Sequence, residues 1–106
     1  MTEITKAEVF NRIILKGDRL KIVIFCAEWS GPCHIMGPIY EEMSSIYENS
    51  AAFYQIDIDK VPLLKKELGV TELPTILFYR EGKVIDSMAG LIFRGLLIEK
   101  LEKTIR

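Results

Sequence analysis

Cysteine and histidine are scarce in this chain of 106 residues: two cysteines, Cys26 and Cys33, and a single histidine, His34. Two thiols are too few for a disulfide scaffold. Three candidate ligands crowded between Cys26 and His34 do not make a tetrahedral metal set either, so no metal is expected. An excess of charge of one sign is also missing. With 14 Lys+Arg against 15 Asp+Glu the formal net charge is -1, which argues against a nucleic-acid partner, because phosphate contacts need a basic patch. No apolar run approaches the roughly 20 residues of a membrane span. Met1–Lys16 mixes acids with bases and has no signal-peptide core. The expectation is a cytoplasmic protein without a membrane partner. No repeat, low-complexity tract or linker divides the chain, so residues 1–106 read as a single domain.

What is present is an ordinary globular composition, 49% hydrophobic and 27% charged. A chain of this size buries roughly 65% of its unfolded surface, enough for one core. Thr5 with Glu8 three residues on reads as a capping box, Val9, Phe10, Ile13 and Ile14 as the apolar stripe behind it, and Gly17 as the helix end. Ile22-Val23-Ile24-Phe25-Cys26 is a continuous apolar run rich in β-branched residues, as in a strand covered on both faces. A second helix is predicted from near Ser30 to about Glu48, with Ile35, Met36, Ile39, Tyr40, Met43, Ile46 and Tyr47 inward and Pro38 kinking it. Alternation over Ala52–Ile58 gives a second strand, completing a right-handed βαβ unit. Val61–Leu68 reads as a short helix stopped by Gly69. Thr75–Tyr79 and Val84–Met88 read as a hairpin turning at Arg80-Glu81-Gly82-Lys83. Leu97, Ile98, Leu101 and Ile105 line one face of a last helix. The fold class is α/β, a mixed sheet of four to five strands with helices on both faces.

The chemistry is expected in Phe25-Cys26-Ala27-Glu28-Trp29-Ser30-Gly31-Pro32-Cys33-His34, where a parallel strand ends and a helix begins. Sites of open α/β sheets lie at such points, and a helix N-terminus favours an anion such as a thiolate. This segment resembles the active site of the thioredoxin family, whose usual form is W-C-G-P-C-K after an apolar strand. Leu73-Pro74-Thr75 resembles that family's cis-proline loop, Pro38 its helix-kinking proline, Gly82 its hairpin turn and Ala89-Gly90 its substrate-side glycine. The resemblance covers nearly the whole chain, with Met1–Ile4 forming the family's first strand only in part. It implies the thioredoxin fold, a cis Leu73–Pro74 bond, and a protein-disulfide oxidoreductase that works without a cofactor. It also implies a monomer that takes disulfide-containing or extended protein segments and draws electrons from a thioredoxin reductase. The implied substrate rim is Trp29, Gly31, Pro32, Leu73, Pro74, Ala89, Gly90 and Leu91.

Four positions around the site depart from the family's pattern. Ser30 stands where the attacking cysteine belongs, and Cys33 keeps the place of the resolving thiol. Exchange needs one thiolate to attack and a second thiol to resolve, so a Ser30/Cys33 pair cannot complete it. Ile24 and Gln55 occupy the places of the family's buried Asp and its Lys, and Cys26 occupies the place of an aromatic. Two origins stay open for Ser30: an engineered, nearly isosteric replacement in a reductase, or a natural variant. A natural variant would be a redox-silent peptide-binding module or a one-cysteine thiol protein acting through Cys33. Ser30 also suits a helix N-cap accepting the Cys33 N–H, and His34 four residues on is the alternative base for a serine nucleophile. Cys26 and Cys33 are expected to stay unpaired on different packing surfaces, with Cys33 nearer solvent and Cys26 in the core or at its edge.

Overall fold

The computed structural model describes residues 1–106. In chain order the elements are β1 (Thr2–Glu3), α1 (Ala7–Ile14), β2 (Lys21–Cys26), α2 (Gly31–Ile46), β3 (Ala52–Asp57), α3 (Pro62–Leu68), β4 (Thr75–Arg80), β5 (Lys83–Ala89) and α4 (Arg94–Ile105). The strands form one mixed sheet ordered β1-β3-β2-β4-β5. β2 runs parallel to β3, with Ile24 opposite Gln55 and Cys26 opposite Asp57. It runs antiparallel to β4, with Phe25 opposite Thr75.

Alternation along β2 divides the interior. Val23 and Phe25 join Phe10 and Ile14 of α1 and Leu64 of α3 in one apolar cluster. Ile22 and Ile24 join Met36, Tyr40 and Met43 of α2 and Leu97 and Leu101 of α4 in the other. The central strand is therefore apolar on both faces because helices cover both, as its sequence predicts. The Tyr40 hydroxyl ties α2 to the sheet, lying 2.9 Å from the Ile22 carbonyl and 2.7 Å from that of Tyr54.

Three expectations are corrected. Thr5 does not cap α1: Lys6 is the N-cap residue and no side chain bonds there. Ile4 N–H still pairs with the Gln55 carbonyl at 2.9 Å, so the chain remains extended past β1 and the helix starts one residue late, with Glu8 left in its first turn. Gly17 does not end α1, which stops at Ile14 with Leu15 as C-cap; Gly17 turns the following loop at φ +85. Ile35 and Ile46 are not inward, each being 57% exposed. At about 100° per residue they fall on a flank of α2 beside the Met36–Tyr40–Met43 stripe. The other assignments agree within a residue or two, including Pro38 inside α2 and Gly69 as a left-handed C-cap of α3.

Candidate functional site

Three strand ends converge at one edge of the sheet. β2 finishes at Cys26 beside the start of β4, and Thr75 at that start pairs with Ala89 at the end of β5. The Leu73–Pro74 bond is cis, as expected, and the Pro74 carbonyl accepts the Gly90 N–H at 2.8 Å. Leu73, Pro74, Ala89 and Gly90 thus form one continuous backbone ledge, with Leu91 60% exposed beyond it. Across from the ledge, the loop after β2 carries Trp29 and turns into α2 at Ser30, Gly31, Pro32 and Cys33. Trp29 is 69% exposed, and its indole Nε1 donates to Asp59 Oδ2 at 2.8 Å. Sequence reasoning did not single out Asp59, which lies in the turn after β3.

Ser30 is the N-cap of α2. Its backbone is extended (φ -88, ψ 114) and its Oγ accepts the Cys33 N–H at 3.3 Å. Pro32 in the first turn needs no partner for a missing N–H. The Ser30 side chain is only 5% exposed, so a hydroxyl fills the space ahead of Cys33 and spends its acceptor on the helix. His34 does not join it as a base. Its Nε2 lies 2.6 Å from the Glu28 carbonyl, which makes Nε2 the protonated, donating nitrogen and turns the ring back over the loop. Ser30 and His34 therefore form no nucleophile–base pair.

Cys26 and Cys33 are both free, as expected, but they do not sit on different packing surfaces. Cys26 follows Ile22 and Ile24 on the face that α2 covers and packs against that cluster. Cys33, in the first turn of α2, lies beside it. Their exposures are also the reverse of the expectation. Cys33 is the buried thiol, 6% exposed, and Cys26 is half-buried. Burial pushes the Cys26 thiol far above the ordinary cysteine range, and the neighbouring Cys33 thiol and the Asp57 carboxylate push the same way. The period-two alternation of β2, carried from Ile22 and Ile24 to Cys26, was the signal for this neighbourhood.

Behind the loop, the two thiols open into a cavity of about 240 Å³ whose wall also includes Ile24, Gly37, Tyr40 and Gln55. Ile24 and Gln55, noted as departures from the charged residues usual at those places, face each other across β2 and β3. No three His, Cys, Asp or Glu side chains converge as a group able to hold a metal, and no helix is long and apolar enough to cross a membrane.

The Thioredoxin family model matches residues 1–103. Thioredoxin 2 of Chlorobaculum tepidum is 34% identical over 96 residues, covering 91% of this chain and 88% of that protein. Thioredoxin-2 of Saccharomyces cerevisiae is 33% identical over 90 residues, covering 85% and 86%. Among solved structures, Plasmodium falciparum thioredoxin superposes with a TM-score of 0.89 at 33% identity, covering 97% of this chain and 98% of that one. Malassezia sympodialis thioredoxin gives 0.92 at 26% identity, covering 100% and 91%. A family match that runs from the first strand into the last helix, on the fold that positions the Trp29–Cys33 loop, makes this chain a member of the thioredoxin family, of the protein-disulfide oxidoreductase kind.

Proposed function

We propose that this protein binds extended or disulfide-containing protein segments on the rim formed by Trp29, Gly31, Pro32, Leu73, Pro74, Ala89, Gly90 and Leu91, and that it does not run a two-thiol exchange cycle through positions 30 and 33. The observation that carries the second half is Ser30. Its Oγ stands at the helix N-terminus, where the family's attacking sulfur belongs, and accepts the Cys33 N–H. A hydroxyl there neither ionises at neutral pH nor forms a bond to the Cys33 sulfur. Support for the first half is the exposed indole of Trp29, the exposed Leu91 and the backbone ledge closed by the Gly90–Pro74 hydrogen bond, an arrangement suited to an extended strand with one apolar side chain. Cys33, almost wholly buried, is poorly placed to act on a protein substrate as a lone thiol. The proposed setting is the cytoplasm, where thiols are kept reduced, and the proposed state is a monomer.

Dithiol-coupled reduction of a protein disulfide tests the reading. The chain as it stands should show no turnover above the uncatalysed rate, whereas Ser30→Cys should restore it and accept electrons from a thioredoxin reductase. Equal rates for the two forms would overturn it.

A further inference from the structure

Position 30 lacks a thiol, yet the fold retains two thiols that face each other behind it. We propose that Cys26 and Cys33 form a second, displaced dithiol–disulfide couple, which closes into an internal bond when a small disulfide enters the cavity beside them. Three placements carry this. Cys26 is the last residue of β2 and points to the α2 face with Ile22 and Ile24. Cys33 lies in the first turn of α2 over that face, and only the six residues Ala27–Pro32 separate the two along the chain. Both sulfurs line one cavity, and small residues make room in its wall: a Cβ built on Gly37 would meet no atom within 4 Å.

The cavity also sets the class of oxidant. At about 240 Å³ it admits a small disulfide and is too small for the folded surface around a protein disulfide. Cys26 is the less buried thiol and meets the oxidant first. Burial keeps the Cys26 thiol protonated at neutral pH, so the step is slow there and quickens as the pH rises. Cys26 gives up its proton as it attacks one sulfur of the small disulfide, and the other sulfur takes up a proton and leaves as a thiol, with a mixed disulfide left on Cys26. Cys33 then gives up its proton and displaces the second small thiol from Cys26, forming the Cys26–Cys33 bond. Two thiol hydrogens and two electrons leave the protein, and one small disulfide becomes two small thiols. The couple is independent of peptide binding on the rim and of the residue at position 30.

The test uses the full chain in native buffer with hydroxyethyl disulfide, followed by acid quenching, alkylation under denaturing conditions and intact mass analysis without reductant. The expected product is a monomer lighter by two hydrogens, with no thiol left to alkylate. A digest should join the Cys26 and Cys33 peptides, and dithiothreitol should restore both thiols. Cys26→Ser should abolish the lighter species; if that variant is unfolded by circular dichroism, the peptide map of the unaltered chain decides alone. Small-thiol adducts that persist on either cysteine, a disulfide-linked dimer, or thiols untouched until the chain is denatured would each overturn the proposal. A failure of Ser30→Cys in the reductase assay leaves this couple standing, so the two readings fall separately.

Discussion

Two buried tyrosines show how one hydroxyl changes sign with its surroundings. Tyr40 places its hydroxyl between the carbonyls of Ile22 and Tyr54. Tyr79 packs edge-on against Phe10, with ring centroids 5.9 Å apart, but its buried hydroxyl meets no partner. Burial alone pushes that phenol up to about 12. An unpartnered buried hydroxyl costs about 1–3 kcal/mol, whereas a satisfied one contributes about 1 kcal/mol. Tyr79→Phe should therefore raise stability by about 1 kcal/mol and Tyr40→Phe lower it by about as much, read as opposite shifts of the denaturation midpoint at constant slope. A loss of stability in Tyr79→Phe would mean that its hydroxyl finds a partner in solution. Ser30 belongs to the same scale. Its oxygen caps α2 by accepting the Cys33 N–H, and under the proposed reading that same oxygen, being no thiolate, leaves position 30 without a nucleophile.

At the scale of elements, the β4–β5 hairpin turns on Glu81 and Gly82, both at positive φ (53 and 77), the two-residue turn whose twist matches its strands. Gly82 has a second reason to be glycine. A Cβ there would lie 2.6 Å from the Leu15 carbonyl oxygen at the end of α1, while Gly69, also left-handed at φ +66, would meet nothing within 4 Å. Gly69→Ala should thus cost only the left-handed strain of about 1–2 kcal/mol, and Gly82→Ala clearly more, in paired chemical denaturation. Equal losses would show that the Leu15 backbone gives way freely. Such turns, the β-branched run of β2 and the stripe of α4 were legible in the sequence because each follows from local chemistry and periodicity. The start of α1 was not, because pairing of Ile4 with β3, a contact across half the chain, holds the backbone extended past the Thr5 capping signal. The cis Leu73–Pro74 bond was legible through its resemblance to a known motif. The Cys26–Cys33 neighbourhood was not, because that motif contains no thiol at position 26. Only the parity of β2, combined with the knowledge of which face α2 covers, brings the two together.

Across the whole molecule, α4 is the last element added, and polar clasps fix it to three others as well as its apolar stripe. Arg94 Nε meets Glu42 Oε1 of α2 at 2.8 Å, Lys100 Nζ meets Asp86 Oδ2 of β5 at 2.8 Å, and Arg80 of β4 donates to the Thr104 carbonyl at 3.0 Å. The hydrogen bond from Arg94 holds the Glu42 carboxyl below its ordinary range, but both partners stand in open solvent, where such pairs are weak. The Asp86 pair is more sheltered, its side chains 31% and 27% exposed. The Lys100 hydrogen bond lowers the Asp86 carboxyl against the opposing effect of burial, with the Ser87 N–H and the charges of Lys100 and Lys103 adding to it. A carboxyl depressed in the folded state binds its proton more weakly there than in the unfolded chain. Its stabilisation is therefore complete above the unfolded value of about 3.9 and disappears as the pH falls through the lower folded value. Asp86→Asn should cost on the order of 0.5 kcal/mol at pH 7, and the gap to the unaltered protein should close on acidification below about pH 3.9. Urea midpoints of both forms from pH 7 down to the acid transition measure this directly. A gap that stayed constant through that range would mean that Asp86 holds α4 by its shape and its hydrogen bond to Ser87, which asparagine keeps only in part, rather than by its charge.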